Sequence, residues 1–565
     1  MVKFSEMPYR RPSMKDVCRE FELLLERFES APDGAQQKET LYRINDLRKE
    51  YQTYASIASV RNSLNTTDAY YEAEQEFFDE TEPIFKELNI RLYKALGNSK
   101  FKDELRQKFG NQLFKLADVS VKSFDPSIID DLKEENKLGT EYTKLIASAE
   151  VEFQGRKRTL SALAAFAHDP DREVRRQANA ATQSFFKEHE KTLDSIFDRL
   201  VRLRHGMARK LGYQNFVELG YYRMNRTDYT AADVATFRNE IETHVVPLAA
   251  ALREKQRQRI GVEKLKIYDL AFYFPSGNPK PKGSPAEIVA KGRQMYAELS
   301  PETKEFFEFM VNHELMDLEN RKGKAAGGYC TMFEKYKAPF IFANFNGTTG
   351  DVDVLTHEAG HAFQCFQSRD YELGEYLFPT LEACEIHSMS MEHLTYPWMK
   401  LFFEENADKY IYMHLAGCVL FLPYGVAVDE FQHIIYENPD LTPDERKRVW
   451  LAMEQKYRPW VDYDGDEYLE RGGLWQRQLH IYRSPFYYID YCLAQVCAFQ
   501  MWSRSLRDFQ GAWADYLRLC KAGGSDSFLG LVKLARLRSP FERGLLQPLM
   551  GEIEEYLNGL EPKLG

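Results

Sequence analysis

Two histidines four residues apart, His357 and His361, with Glu358 beside the first, constrain this chain more than any other feature. On an α-helix, residues four apart fall within about 40° of each other on one face, so two imidazoles can grip one metal ion. Around them, Val354, His357, Glu358, His361 and Cys365 share one side, and Leu355, Ala359, Ala362, Phe363 and Phe366 share the other. A helix that is apolar behind and bears histidines in front is buried, and buried uncharged histidines need partners. The H-E-x-x-H spacing therefore reads as a zinc site, with Glu358 as general base beside the water the metal holds.

Catalytic zinc takes three protein ligands and keeps a fourth position for water. Pro379 through Glu392 reads as a helix on which Glu382, Glu385, Met389 and Glu392 share a face at spacings of three, four and three. Carboxylates on an otherwise apolar helix need cations, which zinc and its histidines supply. Glu385, 24 residues after His361, is the choice of third ligand, with Glu382 as rival; spacing alone does not separate them. Glu392 then accepts from an imidazole N–H, while His387 and His393 are further alternatives as ligands. Glu430 and His433 have the E-x-x-H spacing of di-iron bundles, but only one such motif is present, so they read as the polar face of a buried helix.

A second informative stretch runs from Arg471 to Tyr491. Ser484-Pro485 reads as an N-cap and a helix-compatible proline, which starts a helix with Tyr488 and Tyr491 on one face. Together with His480, these are donors that a zinc hydrolase needs opposite its metal, where negative charge develops on oxygen.

The rest of the chain builds a container. Apolar residues recur at helical spacing from Ser13 onward, as in Phe21-Leu24-Leu25-Phe28, and the pattern continues to Lys210. Residues 1–200 are expected to form a helical wall or lid and residues 201–565 the catalytic region, with a loop over Pro275 to Pro285. Tyr329 to Phe333 and Pro339 to Phe345 read as two strands of a small sheet. The strand just before the histidine helix could offer its edge to an extended peptide, and Asp351 or Asp353 could cap that helix. Net charge is −11 with no long basic run, so nucleic acid is an unsuited partner. The eight cysteines show no paired spacing and read as free thiols of a reducing, cytoplasmic compartment; the N-terminus carries no signal-peptide core. Leu415 to Val428 is short, broken by Gly417, Pro423 and Gly425, and reads as a buried helix, not a membrane span.

At the histidine helix, at Glu385 with Glu392 seven residues later, and at His480 through Tyr491, the chain resembles the thimet oligopeptidase and oligoendopeptidase F family of zinc metallopeptidases. It is most similar to the bacterial oligoendopeptidase-F-like, Pz-peptidase branch. The resemblance implies one Zn²⁺ on His357, His361 and Glu385, Glu358 as general base, and His480, Tyr488 and Tyr491 as substrate-contacting groups. The sequence is shorter between His480 and the tyrosine pair than thimet oligopeptidase is, which leaves Tyr482 and Tyr487 in a secondary place. The fold implied is mainly α, a two-lobed helical shell around a deep channel that admits short peptides. A metallocarboxypeptidase, a helical peptide-binding protein with a structural zinc, and a di-metal bundle enzyme are the competing readings. Cleavage preference, peptide length limit and oligomeric state are not legible in the sequence.

Overall fold

The computed structural model describes residues 2–325 and 327–564, which are mostly helical. The stripe Phe21, Leu24, Leu25, Phe28 is buried on the helix Met14–Glu29, whose N-cap Ser13 accepts from the Asp16 amide. Gly34–Leu64, Ala69–Gly97, Lys102–Phe109 and Gln112–Lys122 fold against it around one apolar core. That core also takes in Leu373 and Tyr376, which lie far along the chain. The Tyr376 hydroxyl donates to the Phe109 carbonyl at 2.5 Å and accepts from the Leu113 amide at 3.0 Å, and Arg48 pairs with Glu375 at 2.8 Å. The N-terminal lobe thus grips the connection between the helices Gly350–Ser368 and Leu381–Leu394.

A second, larger core gathers most of the remaining chain. The division expected at residue 200 falls inside the 39-residue helix Arg172–Lys210, whose apolar face belongs to this larger core. We propose drawing it near residue 125 instead, just after Gln112–Lys122, the last N-terminal helix of the smaller core. Between the lobes lies a cavity of about 570 Å³ lined by residues of both, among them Lys86 and Arg483. The helical pattern of residues 140–210 is interrupted by a small antiparallel hairpin, Val151–Phe153 with Arg156–Arg158.

The sheet has three strands, one more than expected. Ala338–Phe345 is central, parallel to Met316–Glu319 and antiparallel to Tyr329–Phe333. The strand that delivers the histidine helix is therefore paired on both sides and offers no edge. The sheet's two edges are Met316–Glu319 and Tyr329–Phe333, and among the described residues each pairs with the central strand alone. The apolar stretch around Leu415 lies in the helix Ala407–Glu437, which passes through Pro423 without ending and is largely buried. One helical stretch, Leu381–Glu437, is long and apolar enough to cross a membrane, but most of it is inside the protein. All eight cysteines are free.

Candidate active site

His357 and His361 stand on one face of the helix Gly350–Ser368. Neither expected aspartate caps it. Asp351 turns back to accept from the amides of Asn346 and Gly347, each at 2.8 Å, and Asp353 accepts from the Tyr410 hydroxyl at 2.6 Å. Gly360, inside the motif, is required by packing: a Cβ there would lie 2.6 Å from Ser388 Cα and 2.7 Å from the His387 carbonyl. Its absence lets the helix Leu381–Leu394 press directly on the motif helix and bring Glu385 to the histidines.

The Nε2 atoms of His357 and His361 lie 3.4 and 3.5 Å from the same oxygen, Glu385 Oε2. Ligand atoms held about 2.0–2.1 Å from a tetrahedral zinc stand about 3.3 Å apart, so the spacing and the donor set both fit that ion. His357 Nδ1 donates to Glu392 Oε1 at 2.6 Å, which directs its Nε2 lone pair toward the metal position. The other oxygen of Glu392 accepts from His414 Nε2 at 2.7 Å. Burial works against the charge of Glu392, but these two hydrogen bonds outweigh it and bring its pKa to about 2. Glu385 is likewise held well below the usual carboxylate range: burial opposes its charge, and His361 and His357 overcome that opposition.

Glu358 is buried, its Oε2 has no hydrogen-bond partner, and burial raises its pKa despite the neighbouring histidines. A cavity of about 490 Å³ opens beside His357, and His480, Tyr488 and Tyr491 lie on its wall. His480 packs against Tyr488 and Tyr491 with ring centroids 5.0 and 5.9 Å away. Its tautomer is set by a relay. The Tyr424 hydroxyl donates to Gln478 Oε1, so the Gln478 amide N–H faces His480 Nδ1, both at 2.8 Å. With Nδ1 accepting from Gln478, Nε2–H is the ring's donor, and burial, which lowers the His480 pKa, favours that neutral form.

Other sequence candidates fall elsewhere. Glu382 points away from the histidines into a buried cluster with Arg226 and Asp490. His387 Nδ1 bonds its own helix at the Ala383 carbonyl, and His393 lies between Tyr396 and Gln495. Glu430 pairs with Lys456, and His433 bonds Tyr221, so both side chains of that pair are engaged by protein partners. Tyr482 is a core residue stacked on Tyr142 at 4.0 Å. Tyr487, placed second in the sequence reading, donates its hydroxyl to Glu385 Oε1 at 2.7 Å.

The helix expected to start at Ser484 begins instead at Tyr488, because Ser484 ends the short helix Leu479–Arg483 and Phe486 adopts φ 67°. That turn is pinned by Gln432, which accepts from the Phe486 amide at 3.0 Å, and by Arg226, which donates to the Phe486 carbonyl. Gly220 leaves room for the Phe486 ring, which a Cβ would meet at 2.6 Å. Gln478, Tyr424, Gln432 and Arg226 were not singled out from the sequence for these roles, and no local spacing marks them.

The sequence model of the Peptidase M3 N-terminal domain matches residues 4–124, and that of Peptidase family M3 matches residues 165–282 and 299–550. Pz peptidase A, solved with an inhibitor, is 56% identical, covering 99% of this chain and 100% of its own at a TM-score of 0.96. A structure assigned to oligoendopeptidase F from Bacillus anthracis str. Ames is 49% identical at a TM-score of 0.92, covering 100% and 99% of the two chains. The oligoendopeptidase F homolog of Borreliella burgdorferi is 23% identical over 418 residues, 70% of this chain and 68% of that protein. With the family match spanning more than half its length, and its histidine helix and glutamate helix brought face to face, the chain belongs to peptidase family M3.

Proposed function

We propose that this metallo-endopeptidase is zinc-dependent and cuts internal bonds of short oligopeptides, using Glu358 as its general base. The observation that carries the reading is the convergence of two imidazole nitrogens on one Glu385 oxygen beside a buried Glu358 with an unpartnered oxygen. His357, His361 and Glu385 would hold the ion; when bound, Zn²⁺ polarises the scissile carbonyl and makes a water acidic enough to lose a proton near neutral pH.

The remaining work falls to this chain's own residues. Glu358 takes the water proton and delivers it to the leaving nitrogen; its raised pKa suits a group that must carry a proton between two steps. The hydroxyls of Tyr488 and Tyr491 and the Nε2–H of His480 donate to the carbonyl oxygen as it becomes negative, each donor supporting about a hundredfold or more in rate. Glu392 and Tyr487 hold the ligands His357 and Glu385 in orientation. Tyr329–Phe333 can pair with an extended substrate along its open edge, and Gly328, at its start, brings the backbone close over Glu358: a Cβ there would lie 3.6 Å from Oε1.

Glu358→Gln tests the reading: zinc content is expected to stay at wild-type level while peptide hydrolysis falls by at least about a thousandfold. Metal analysis beside mass spectrometry of the products reads both. Near wild-type turnover by the variant, or products trimmed only from the ends, refutes it.

A further inference from the structure

Two glycines, Gly417 and Gly425, lie inside the helix Ala407–Glu437, and neither adopts a left-handed backbone. A glycine within a helix costs stability relative to alanine or leucine, so its place there calls for a reason in packing or in function. Packing explains Gly425, where a Cβ would run into Cys492 Sγ. It does not explain Gly417, where a Cβ would meet no packed neighbour within 4 Å among the described residues. The space that Gly417 leaves open belongs to the cavity of about 490 Å³ beside His357. Tyr410, Met413, His414, Gly417, Cys418 and Phe421 recur at three and four positions, so they form one face of the helix, and all of them line that cavity. Phe421 carries this wall to the catalytic donors, its ring centroid 5.6 Å from that of Tyr488 and 6.4 Å from that of Tyr491. With Met389 added from the Glu385 helix, the cavity has an apolar side next to the reacting groups and is open toward Gly417, which suits a bulky apolar side chain.

The direction of a bound peptide decides which side chain enters. Gly328, just before the strand Tyr329–Phe333, lies near Val354 and Glu358, while Met332, near the strand's end, shares a small apolar cluster with Cys365. The strand therefore runs along the motif helix from its N-terminal half toward its C-terminal half. The cavity lies at the N-terminal half, against Asp353 and His357. A substrate laid antiparallel on this strand, the direction that gives the stronger pairing, has its C-terminal half at the cavity. Resting on the peptidase reading above, we propose that Gly417 is a specificity-determining residue: the space it leaves open takes a bulky apolar side chain on the residue that follows the cut bond.

The test uses the full zinc-loaded enzyme and an oligopeptide series that carries phenylalanine or alanine after the cut bond, and a second series varied in the same way before it. Wild type is expected to favour phenylalanine over alanine after the bond by at least about tenfold in kcat/KM. Gly417→Leu fills the space from the helix and should bring that ratio to about one or below. Gly417→Ala, which adds a single methyl, should give an intermediate ratio. Zinc content should stay at the wild-type level in both variants, since alanine and leucine are better helix formers than glycine. The ratio for the residue before the bond should be the same in all three enzymes. No preference for phenylalanine in wild type, or a preference that both variants keep, overturns the proposal. A shift that falls on the residue before the bond overturns the placement of the side chain after it. Should Gly417→Leu fail to fold, the alanine variant decides alone. Failure of the underlying peptidase reading is distinct, because then wild type cuts no peptide of either series internally.

Discussion

Glu385 is held from both of its oxygens: Tyr487 donates to one at 2.7 Å and Ser388 to the other at 2.9 Å. Removing such a partner of a metal ligand typically costs about ten- to a hundredfold in metal affinity. Tyr487→Phe is therefore expected to weaken zinc retention by about tenfold, measured by competition with a chelator, with activity recovered in excess zinc. Tyr482→Phe is its control: that hydroxyl reaches only the Leu193 carbonyl at 3.4 Å, so zinc affinity and kcat should stay at wild-type values. Equal zinc affinities of the two variants would remove Tyr487 from the site. The two tyrosines were indistinguishable by sequence because their roles depend on partners 102 and 289 residues away. Glu382 and Glu385 were ambiguous for a different reason. On a helix they stand about 60° apart, close enough to share a face by spacing, yet far enough for packing to turn one toward the histidines and the other toward Arg226. His357, His361 and Glu358 were legible because their whole arrangement fits within two helical turns.

At the scale of elements, the site is two helices in contact at a glycine and a third closing over them. Gly360→Ala places a methyl 2.6 Å from Ser388 Cα, which is backbone and cannot turn aside. Overpacking of this kind costs about 1–3 kcal/mol, and here the strain also pushes Glu385 away from His357 and His361. Thermal unfolding beside metal analysis should give a lower Tm and reduced zinc; a variant as stable and as fully loaded as wild type contradicts this account of the glycine. Periodicity exposed the long helices and the two aromatic strands, since each carries its signal locally. It missed the strand Met316–Glu319, which is short and only partly apolar, and misplaced the start of the helix Tyr488–Arg507. Ser484-Pro485 has the composition of a helix start, but Phe486 at positive φ breaks the chain there, a conformation fixed by Gln432 and Arg226 from outside the segment.

Across the whole molecule, the catalytic wall rests on buried charge. Arg226 pairs with Asp490 at 2.9 Å, and Glu382 lies close by, all of them nearly inaccessible to solvent. Burial raises the pKa of both carboxyls; Arg226 pulls each down, but one guanidinium cannot stabilise two charges. The folded state therefore holds protons that the unfolded chain, with carboxyl pKa values of about 4, has already released. The stabilising contribution is complete below about pH 4 and is lost as the pH rises through the raised folded values, at up to about 1.4 kcal/mol per pH unit for each proton. Urea unfolding at a series of pH values should show this decline, and Glu382→Gln should flatten it; an unchanged slope in the variant excludes the cluster as its source.

The insertion of Leu373 and Tyr376 into the N-terminal core has a consequence for the order in which the enzyme comes into being. A chain emerging from the ribosome releases residues 14–122 first, and their helices can collapse early, because most of their contacts are local. What they form is a socket lacking its last two side chains. The segment bearing Leu373 and Tyr376 arrives some 250 residues later, and by docking it anchors the histidine helix on one side and the Glu385 helix on the other. The N-terminal lobe thus acts as an assembly jig for these two helices, which take their places against it only when that late segment seats.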